Sequence, residues 1–482
     1  MKVLINAFWL SFCRITADLL SFVLFAVIAR TFGPAGTGQY SYGFAVGTLI
    51  ALISTSGFED YGIRQYARAA ANERASLWED LLATQCLQLA LGALAFVVFV
   101  LIGAIDARNI IVVLELVIYV MGWWLSRTFF IPAMASQSMI KPALADLGCR
   151  VTAILAALWL GVIGHLPLPL MLAVFPLAGV TLLLLSLASA ARHGARLRPG
   201  RNWRRVLGTV RGTLPFAGSD ILNQFYARAD VLLIAYFLGD ASVGLYATDI
   251  KFVEVGLLPL ILLGTAAYPL LSEYAARDQL AFAHAARDFT RLLLLLSGWL
   301  AVGIGFLVPL LVVPLFGASF APAIQLLPWV AAFALTKGLE ATCYRLLYSA
   351  HRQTLYCLSL LLGTLLIIAL NVVLIPTLGL KGAICAAILA TIVIDSLALA
   401  GLWRYLGGRF LLMSLARLAL ALGVVTAVSV AAVRKLEVTP WSAALVACGA
   451  FPLLAAALGL VPNPRRSQLL RHAGSTHTAA TP

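Results

Sequence analysis

The sequence predicts an all-α integral membrane protein with about 14 transmembrane helices, and three observations support this prediction. Hydrophobic residues form 62% of the 482-residue chain and charged residues only 11%, against about 25% charged residues in a typical soluble domain. Apolar runs of about 20 residues, the length that crosses a bilayer core, recur along the whole chain. The runs lack the period-two alternation of barrel strands, so the spans are predicted to be helices.

The predicted spans follow one another from the first residues to residue 461. They lie at 6–29, 38–58, 81–104, 110–132, 141–165, 168–190, 214–237, 244–271, 292–314, 323–348, 354–376, 380–402, 411–432 and 440–461. Alternate connections and both termini carry most of the Lys and Arg that lie outside the spans, whereas the other connections are short and rich in Gly and Pro. The positive-inside rule therefore predicts that the basic connections and both termini are cytoplasmic.

Basic residues give the chain a net charge of +14, which does not predict nucleic-acid binding. They lie between apolar runs rather than in a stripe interleaved with aromatic residues. The segment 191–213 contains seven arginines and no acid. It is predicted to be a cytoplasmic connector between two halves of the chain, and binding of anionic lipid headgroups is the alternative. The segment 59–80 mixes charges with Tyr66 and Trp78, which predicts an interfacial helix.

The second half of the chain repeats the opening of the first. RTFGPAGTGQY begins at Arg30 and YFLGDASVGLY begins at Tyr236, so Gly33, Gly38 and Tyr40 recur 206 residues later. Six spans per copy preserve orientation, which predicts two parallel, pseudo-symmetric six-helix lobes with a cleft between them. The predicted domains are an N-terminal lobe at 1–190, the connector at 191–213, a C-terminal lobe at 214–402, two additional C-terminal helices at 403–461 and a cytoplasmic tail at 462–482.

Three blocks of sequence resemble a known family of flippases. They are NAFWLSFCRITADLLSFVLFAVIARTFGPAGTGQYSY at 6–42, GFEDYGIRQYARAAANER at 57–74 and NQFYARADVLLIAYFLGDASVGLYATDIKFVEVGLLPL at 223–260. They are similar to blocks of the polysaccharide and lipid-linked oligosaccharide flippases, the O-antigen-type branch of the MATE-like multidrug/oligosaccharidyl-lipid/polysaccharide superfamily. The resemblance covers spans 1–12 and implies a V-shaped cleft lined by spans 1, 2, 7 and 8.

The resemblance also implies a cargo and a location. The cargo would be an undecaprenyl-pyrophosphate-linked oligosaccharide, carried by alternating access from the cytoplasmic to the periplasmic leaflet of the bacterial inner membrane. Membrane lipids, a glycan polymerase and export machinery are the other partners that this function implies. Ion coupling is expected, with Na⁺ or H⁺ left open, and no other cofactor is predicted.

Charges inside the predicted spans are the candidate functional residues, because a charge at mid-bilayer costs about 2.5–3.5 kcal/mol. Arg228 lies mid-span, and a guanidinium can bind a diphosphate through two hydrogen bonds at once. Arg14, in the first span, is predicted to be its counterpart. The predicted substrate-binding residues are Arg14, Arg228, Lys251 and Arg150. All except Arg228 have an acid three or four residues away, so structural ion pairs are the alternative for them.

Acidic and polar side chains in the same spans complete the predicted site. Asp18, Asp220 and Asp230 are the predicted ion-coupling residues, and a counter-ion role beside a nearby arginine is the alternative for each. Five polar side chains are predicted to hydrogen-bond sugar hydroxyl groups, and helix–helix hydrogen bonds are the alternative for them. They are Asn6, Asn223, Gln224, Tyr226 and Tyr246. Arg127, Arg345 and Arg417 lie near span ends, where long side chains can extend to the interface.

Two other functions stay open from the sequence alone. A multidrug or cation antiporter of the same superfamily would use Asp18 as its coupling acid. A membrane glycosyltransferase or glycan polymerase would need a sizeable outer loop to assemble an acid–base site, and the outer loops here are short. The sequence contains no GxxxxGK[ST], no HExxH and no Cys/His cluster, and the chain is predicted not to be an enzyme.

Overall fold

The computed structural model describes residues 2–55, 57–70, 72–101, 109–136, 138–195, 198–435 and 439–461. The side chains of 2–8, 10, 11, 60, 215, 216, 219 and 435 are not part of this description. The predicted tail at 462–482 lies outside the described residues, as do 196 and 197 of the predicted connector.

The described residues form helices throughout and no strand. The α-helices are α1 (Lys2–Thr55), α2 (Phe58–Arg68), α3 (Arg74–Leu101), α4 (Ile110–Ala135), α5 (Ile140–Leu158), α6 (Leu168–Leu172), α7 (Val174–Arg192), α8 (Trp203–Leu238), α9 (Asp240–Gly256), α10 (Leu258–Arg277), α11 (Gln279–Val302), α12 (Val308–Phe316), α13 (Leu327–Ser349), α14 (Gln353–Leu378), α15 (Leu380–Leu406), α16 (Gly408–Lys435) and α17 (Pro440–Ala457). Two π-helical turns, Trp159–Ile163 and Gly303–Leu307, and a 3₁₀ segment, Ala318–Leu326, join neighbouring helices.

Thirteen helices among the described residues are long and apolar enough to cross a membrane, by length and composition alone. The first of them, Phe12–Thr55, has 44 residues, which is about 66 Å of helix or roughly twice a bilayer core. Its backbone leaves the helical conformation at Gly33, so this helix supplies two of the predicted spans. The predicted all-α membrane fold is thereby confirmed.

The two copies of the sequence repeat make the same sharp turn. Gly33 has φ 65° and ψ −168°, and Gly239, 206 residues later, has φ 79° and ψ 176°. Positive φ is open to glycine and strained for other residues, which explains why both copies carry glycine at this point. Each turn breaks the chain between two helical segments, so the repeat seen in the sequence is also a repeat of backbone conformation.

The two turn segments also contact each other reciprocally. A Cβ atom added to Gly38 would overlap the carbonyl oxygen of Asp240, and one added to Gly244 would overlap the carbonyl oxygen of Pro34. Asp240 is the repeat equivalent of Pro34, and Gly244 is the equivalent of Gly38. Contacts that exchange under the repeat in this way are typical of two segments related by a two-fold axis. Glycine at both positions permits the close backbone approach.

The chain divides into two compact units, unit 1 (Met1–Ala247) and unit 2 (Thr248–Pro482). In unit 1, one core cluster joins α1 to α4–α7 through residues such as Ile28, Leu116 and Phe175. In unit 2, α11, α16 and α17 share a cluster around Phe451. α8 and the first turns of α9 are grouped with unit 1, whereas the predicted lobes meet at the connector. The predicted lobe boundaries stay a prediction.

The predicted interfacial helix at 59–80 is wrong in extent and surroundings. The helix α2 ends at Arg68, and the chain from Arg74 onward belongs to the long helix α3. Tyr66 and Trp78 are buried, and their ring centroids lie 6.3 Å apart within a core cluster that also contains Phe129. The aromatic residues that indicated lipid contact are therefore packed against protein.

Candidate functional site

The repeat fixes how far each predicted arginine lies from its glycine turn. Arg14 precedes Gly33 by 19 residues, and Arg228 precedes Gly239 by 11. At about 1.5 Å per residue, Arg14 lies about 28 Å from the turn and Arg228 about 16 Å. In a hydrocarbon core about 30 Å thick, Arg228 is therefore near the middle and Arg14 is near the far boundary. The repeat equivalent of Arg14 is Asp220 rather than Arg228.

Arg228, in α8, contacts α1, the helix that contains the first copy of the repeat. Its guanidinium carbon lies 5.7 Å from the centroid of the Phe44 ring, and Phe44 also lies 11 residues from its own turn at Gly33. The carboxylate of Asp230, two residues on, interacts with Arg228 electrostatically. The Phe44 ring and the Asp230 carboxylate therefore position the Arg228 guanidinium.

The Asp230 carboxylate is tied into the backbone of unit 1. It is buried, its Oδ1 accepts from the backbone N–H of Val231 at 2.8 Å, and its Oδ2 accepts from the hydroxyl of Tyr246. Tyr246 is itself fully buried. These bonds join α8 to α9 across the turn at Gly239. Asp230 and Tyr246 are therefore hydrogen-bonded to each other. A helix–helix hydrogen bond of this kind is the alternative that the sequence left open for Tyr246.

Arg150 is the centre of a balanced group of charges between α1 and α5. Its Nε lies 2.9 Å from Oδ1 of Asp146, and its guanidinium lies 4.3 Å from the centroid of the Trp123 ring. Asp18 interacts with it electrostatically from α1. The Nε of Arg14 lies 4.0 Å from Asp18, and the Arg14 side chain is 80% exposed. Two guanidinium groups and two carboxylates therefore neutralise one another here.

Lys251, the remaining predicted substrate-binding residue, belongs to unit 2. Its Nζ lies 2.7 Å from Oε2 of Glu254, and both side chains are partly exposed. The three arginines of the predicted site all lie in unit 1, so the described contacts bring Arg14 and Arg150 into one charge group and place Lys251 in a separate ion pair.

Asp220 lines a polar cavity of about 130 Å³ in unit 1, together with Thr55, Gly57, Glu59, Trp124, Arg127 and Thr128. Its Oδ2 accepts a hydrogen bond from the backbone N–H of Gly57 at 3.2 Å. The Nε of Arg127 lies 2.6 Å from Oε2 of Glu59. Arg127 is therefore paired across helices, where the sequence predicted a side chain extending to the interface. The partner lies 68 residues away, so helical spacing gave no indication of it.

Arg345 in unit 2 is also held by an aromatic ring and a polar partner. Its guanidinium lies 5.2 Å from the Tyr344 ring centroid, and one of its amino groups donates to the hydroxyl of Thr265 at 3.0 Å. Tyr344 packs further against Tyr348 and Tyr356, with centroids 4.5 and 5.0 Å away. Arg345 therefore resembles Arg127 in its setting, because each lies near the end of a long helix and contacts aromatic rings.

Unit 2 buries two acids that have no hydrogen-bond partner within the described part of the chain, Asp249 and Asp395. Asp249 is fully buried and Asp395 is 3% exposed. Asp395 interacts electrostatically with Lys337 and Glu340, which pair at 2.6 Å. The sequence interpretation missed Asp249, although an acid in the apolar stretch beside Lys251 was a readable signal. The side chain of Asn6 lies outside the described residues.

Solved membrane transporters share this fold. Lipid II flippase MurJ in an inward closed conformation matches with a TM-score of 0.73 and 14% identity over 93% of this chain and 97% of that one. An inward-facing multidrug resistance MATE family transporter of the MOP superfamily matches with a TM-score of 0.64 and 12% identity, over 80% and 95% of the two chains. A MOP superfamily transporter from Pyrococcus furiosus matches with a TM-score of 0.55 and 13% identity, over 83% and 95%.

The class of protein follows from this fold and the 13 candidate spans: the chain is a multi-pass membrane protein with the fold of MOP-superfamily flippases and transporters. Residues 3–275, more than half of the chain, match the family model described as polysaccharide biosynthesis protein. The chain therefore belongs to the polysaccharide biosynthesis protein family. The resemblance stated from the sequence blocks is confirmed. A search of curated proteins finds no match.

Proposed function

We propose that this chain is a flippase for an undecaprenyl-pyrophosphate-linked oligosaccharide. The cargo moves from the cytoplasmic to the periplasmic leaflet of the bacterial inner membrane by alternating access, and both termini lie in the cytoplasm. Membership in a polysaccharide biosynthesis family supports a glycan cargo. The observation that carries the proposal is the position of Arg228, a guanidinium near the middle of the hydrocarbon core, where a charged residue is rare and indicates a site for a charged cargo.

The depths of the arginines suggest how the diphosphate travels. Arg14 is exposed and lies near one boundary of the hydrocarbon core, whereas Arg228 lies about 12 Å deeper by helical rise. One diphosphate does not span that separation, so Arg14 receives the anion first and Arg228 binds it at mid-membrane. Arg150 holds the charge group that positions Arg14 and Asp18. Lys251 is the fourth residue that we propose for cargo binding.

The driving ion is Na⁺ or H⁺, bound by carboxylates inside the spans. Asp18, Asp220 and Asp230 each have a polar partner already, which favours counter-ion or structural roles for them. Asp249 and Asp395 are buried with no hydrogen-bond donor among the described residues. Because an ionised carboxylate is costly in apolar surroundings, these two acids are the stronger coupling candidates. No catalytic step is needed, and the protein acts with separate polymerase and export proteins.

Depletion of the chain from its own cells tests the proposed function. If the chain is the flippase, its loss causes lipid-linked glycan to accumulate in the cytoplasmic leaflet, measured by extraction of the lipid fraction and by accessibility to a glycosidase added to inverted vesicles. Re-expression of the chain restores export. Normal export in depleted cells, with no accumulated lipid-linked glycan, would show that the cargo is something else.

A multidrug antiporter is the second candidate, because a MATE family transporter shares the fold, and Asp18 would be its coupling acid. The flippase would carry an anionic cargo and the multidrug antiporter a cationic one. Efflux of cationic dyes from cells that express the chain would favour the antiporter. Glycosyl transfer by the purified chain would instead indicate an enzyme.

A further inference from the structure

The polar cavity at the ends of α1 and α2 has donors and acceptors that suit a hydroxylated ligand. Thr55 lies 22 residues beyond Gly33, about 33 Å of helix from the turn. Asp220 lies 19 residues before Gly239. Both therefore lie at the membrane boundary opposite the glycine turns, on the side where the basic connector begins. A cargo that enters from the cytoplasm meets this boundary first.

Trp124 supplies a donor that lacks an acceptor. Its indole lines the cavity, and its Nε1–H is buried without a hydrogen-bond partner among the described residues. An unsatisfied buried donor costs about 1–3 kcal/mol, so a ligand atom that accepts a hydrogen bond here is favoured. The guanidinium of Arg127 lies 5.6 Å from the Trp124 ring centroid, which fixes the orientation of the indole.

Hydrogen-bond acceptors on other chain segments line the same cavity. The carboxylates of Asp220 and Glu59 both line it, and Asp220 is anchored by the N–H of Gly57. Thr128 also lines it, and its hydroxyl donates to Oε1 of Gln85 at 2.9 Å, so its oxygen can still accept a hydrogen bond. A group placed between Trp124 and Asp220 must accept one hydrogen bond and donate another.

Charge excludes the two other common ligand classes. The cavity holds two carboxylates and one guanidinium, and Glu59 already binds that guanidinium at 2.6 Å, so a phosphate would meet net negative charge. A metal cation would face the N–H groups of Trp124 and Gly57 as well as Arg127. A hydroxyl both donates and accepts. The volume, about 130 Å³, holds about four water-sized groups.

We propose that this cavity binds the hydroxyl-bearing edge of one sugar ring of the carried glycan. Trp124 donates to a ring hydroxyl, and Asp220 and Glu59 accept from that hydroxyl and its neighbour. The cavity lies near the membrane boundary, whereas Arg228 lies near the middle of the hydrocarbon core. The sugar and the diphosphate are therefore recognised at different depths in the membrane. The inference rests on the proposed function, since it takes the glycan as the cargo, and it adds where the sugar is recognised.

Two binding measurements on the purified full chain in nanodiscs test the assignment. The first titrates free glucose, galactose, N-acetylglucosamine and rhamnose and measures binding by isothermal titration calorimetry, which does not depend on the tryptophan that is replaced. The second titrates undecaprenyl diphosphate that carries no sugar. We expect saturable binding of at least one sugar, weakened at least five-fold in Trp124→Phe, which keeps an aromatic ring and deletes the indole N–H, and likewise in Asp220→Asn. Both variants should bind the sugarless lipid as the unmodified chain does.

Trp159→Phe is the matched control, because Trp159 is a half-exposed tryptophan of the same unit that does not line the cavity. Absence of sugar binding by the unmodified chain, or sugar binding that both cavity variants retain, would overturn the assignment and indicate a cavity filled by water alone. Binding of the sugarless lipid in that case leaves the flippase function standing. Sugar binding that Trp124→Phe loses, without any lipid binding, supports the cavity and counts against the flippase.

Discussion

Units 1 and 2 differ in the protein partners of charged side chains inside their membrane helices. In unit 1, Arg127 and Arg150 are each held by a carboxylate at 2.6 and 2.9 Å and by the ring of Trp123. In unit 2, Asp249 and Asp395 are buried without a hydrogen-bond donor in the described part of the chain. Unit 1 therefore holds these two cations with protein partners, whereas unit 2 leaves both carboxylate oxygens of two buried acids without a donor among its described residues.

This difference indicates a division of tasks. A guanidinium that is oriented by an aromatic ring keeps its charge and presents N–H groups to an anion. A carboxylate without donors in an apolar interior requires a proton or a cation from outside. We therefore expect unit 1 to recognise the anionic cargo and unit 2 to take up the driving ion.

Replacement of Arg228 tests the role of unit 1 and has the largest expected effect. Arg228→Ala should lower glycan export about 100-fold, because two charge-assisted hydrogen bonds to a diphosphate together contribute roughly 3 kcal/mol. Arg228→Lys should retain part of the activity, since the charge stays and the two-pronged geometry is lost. Export is measured in cells that are depleted of the native chain and express each variant.

Arg211→Ala is the control for this change, because Arg211 is exposed in the basic connector and has no predicted contact with the cargo. Membrane levels of all variants are compared by quantitative blotting. Wild-type export by Arg228→Ala at equal protein level would show that Arg228 does not bind the cargo, and it would contradict the role proposed for unit 1.

Replacement of Asp395 tests the role of unit 2. Asp395→Asn keeps the shape of the side chain and cannot gain or lose a proton, so we expect a loss of about ten-fold in transport driven by a pH or Na⁺ gradient, on the order of 1.4 kcal/mol. Transport down a cargo gradient should persist. The measurement compares the variant in proteoliposomes with and without an imposed gradient.

Glu273→Gln is the matched control in unit 2, because Glu273 is 53% exposed and pairs with Arg277 on the surface of α10. It should respond to the gradient as the unmodified chain does. Equal gradient dependence of Asp395→Asn and the unmodified chain would place the coupling acid elsewhere, with Asp249→Asn as the next variant to measure.

The sequence predicted the parts of this comparison that depend on composition and local spacing. Span length and apolar content identify membrane helices, and spacing of four residues identifies Asp146 with Arg150, because helix geometry brings such side chains together. The repeat at Gly33 and Gly239 was readable because glycine is the residue that adopts positive φ without strain. These features reflect short-range constraints that appear directly in the order of residues.

Long-range pairing was not readable. Glu59 contacts Arg127 across 68 residues, and Gly57 donates to Asp220 across 163. Helix packing alone determines these contacts, and no periodicity in the sequence encodes them. Burial was equally hidden, since Tyr66 and Trp78 have the composition of an interfacial segment and lie in the core of unit 1. The Glu59–Arg127 and Gly57–Asp220 contacts line the polar cavity. The cavity could therefore be found only from the structure.

A change at the glycine contact tests whether unit 1 is packed as described. A Cβ at Gly244 would fall on the backbone oxygen of Pro34, so Gly244→Ala should destabilise the protein by about 1–3 kcal/mol through forced backbone movement. Gly218→Ala, where a Cβ meets no atom within 4 Å, should be neutral or stabilising by up to about 1 kcal/mol. Thermal unfolding in detergent measures both variants. Equal melting temperatures would contradict the close approach of the two turns.

A second test of stability concerns Asp230, which has in unit 1 the donors that Asp395 lacks among the described residues of unit 2. Tyr246→Phe removes the hydroxyl that donates to Asp230 and should cost about 1–3 kcal/mol, the range for leaving a buried polar group unsatisfied. Tyr236→Phe, at a tyrosine that is 80% exposed, should change little. An unchanged melting temperature for Tyr246→Phe would show that Asp230 does not depend on this bond.

Transport by the purified chain in liposomes tests the central claim most directly. A fluorescent undecaprenyl-diphosphate-linked oligosaccharide and the same glycan on an uncharged lipid are compared, with leaflet position read from quenching by an impermeant reductant. Our prediction is rapid translocation of the diphosphate-linked glycan, loss of that translocation in Arg228→Ala, and little movement of the uncharged lipid. Equal translocation of both lipids, or of the charged lipid with and without Arg228, would contradict it.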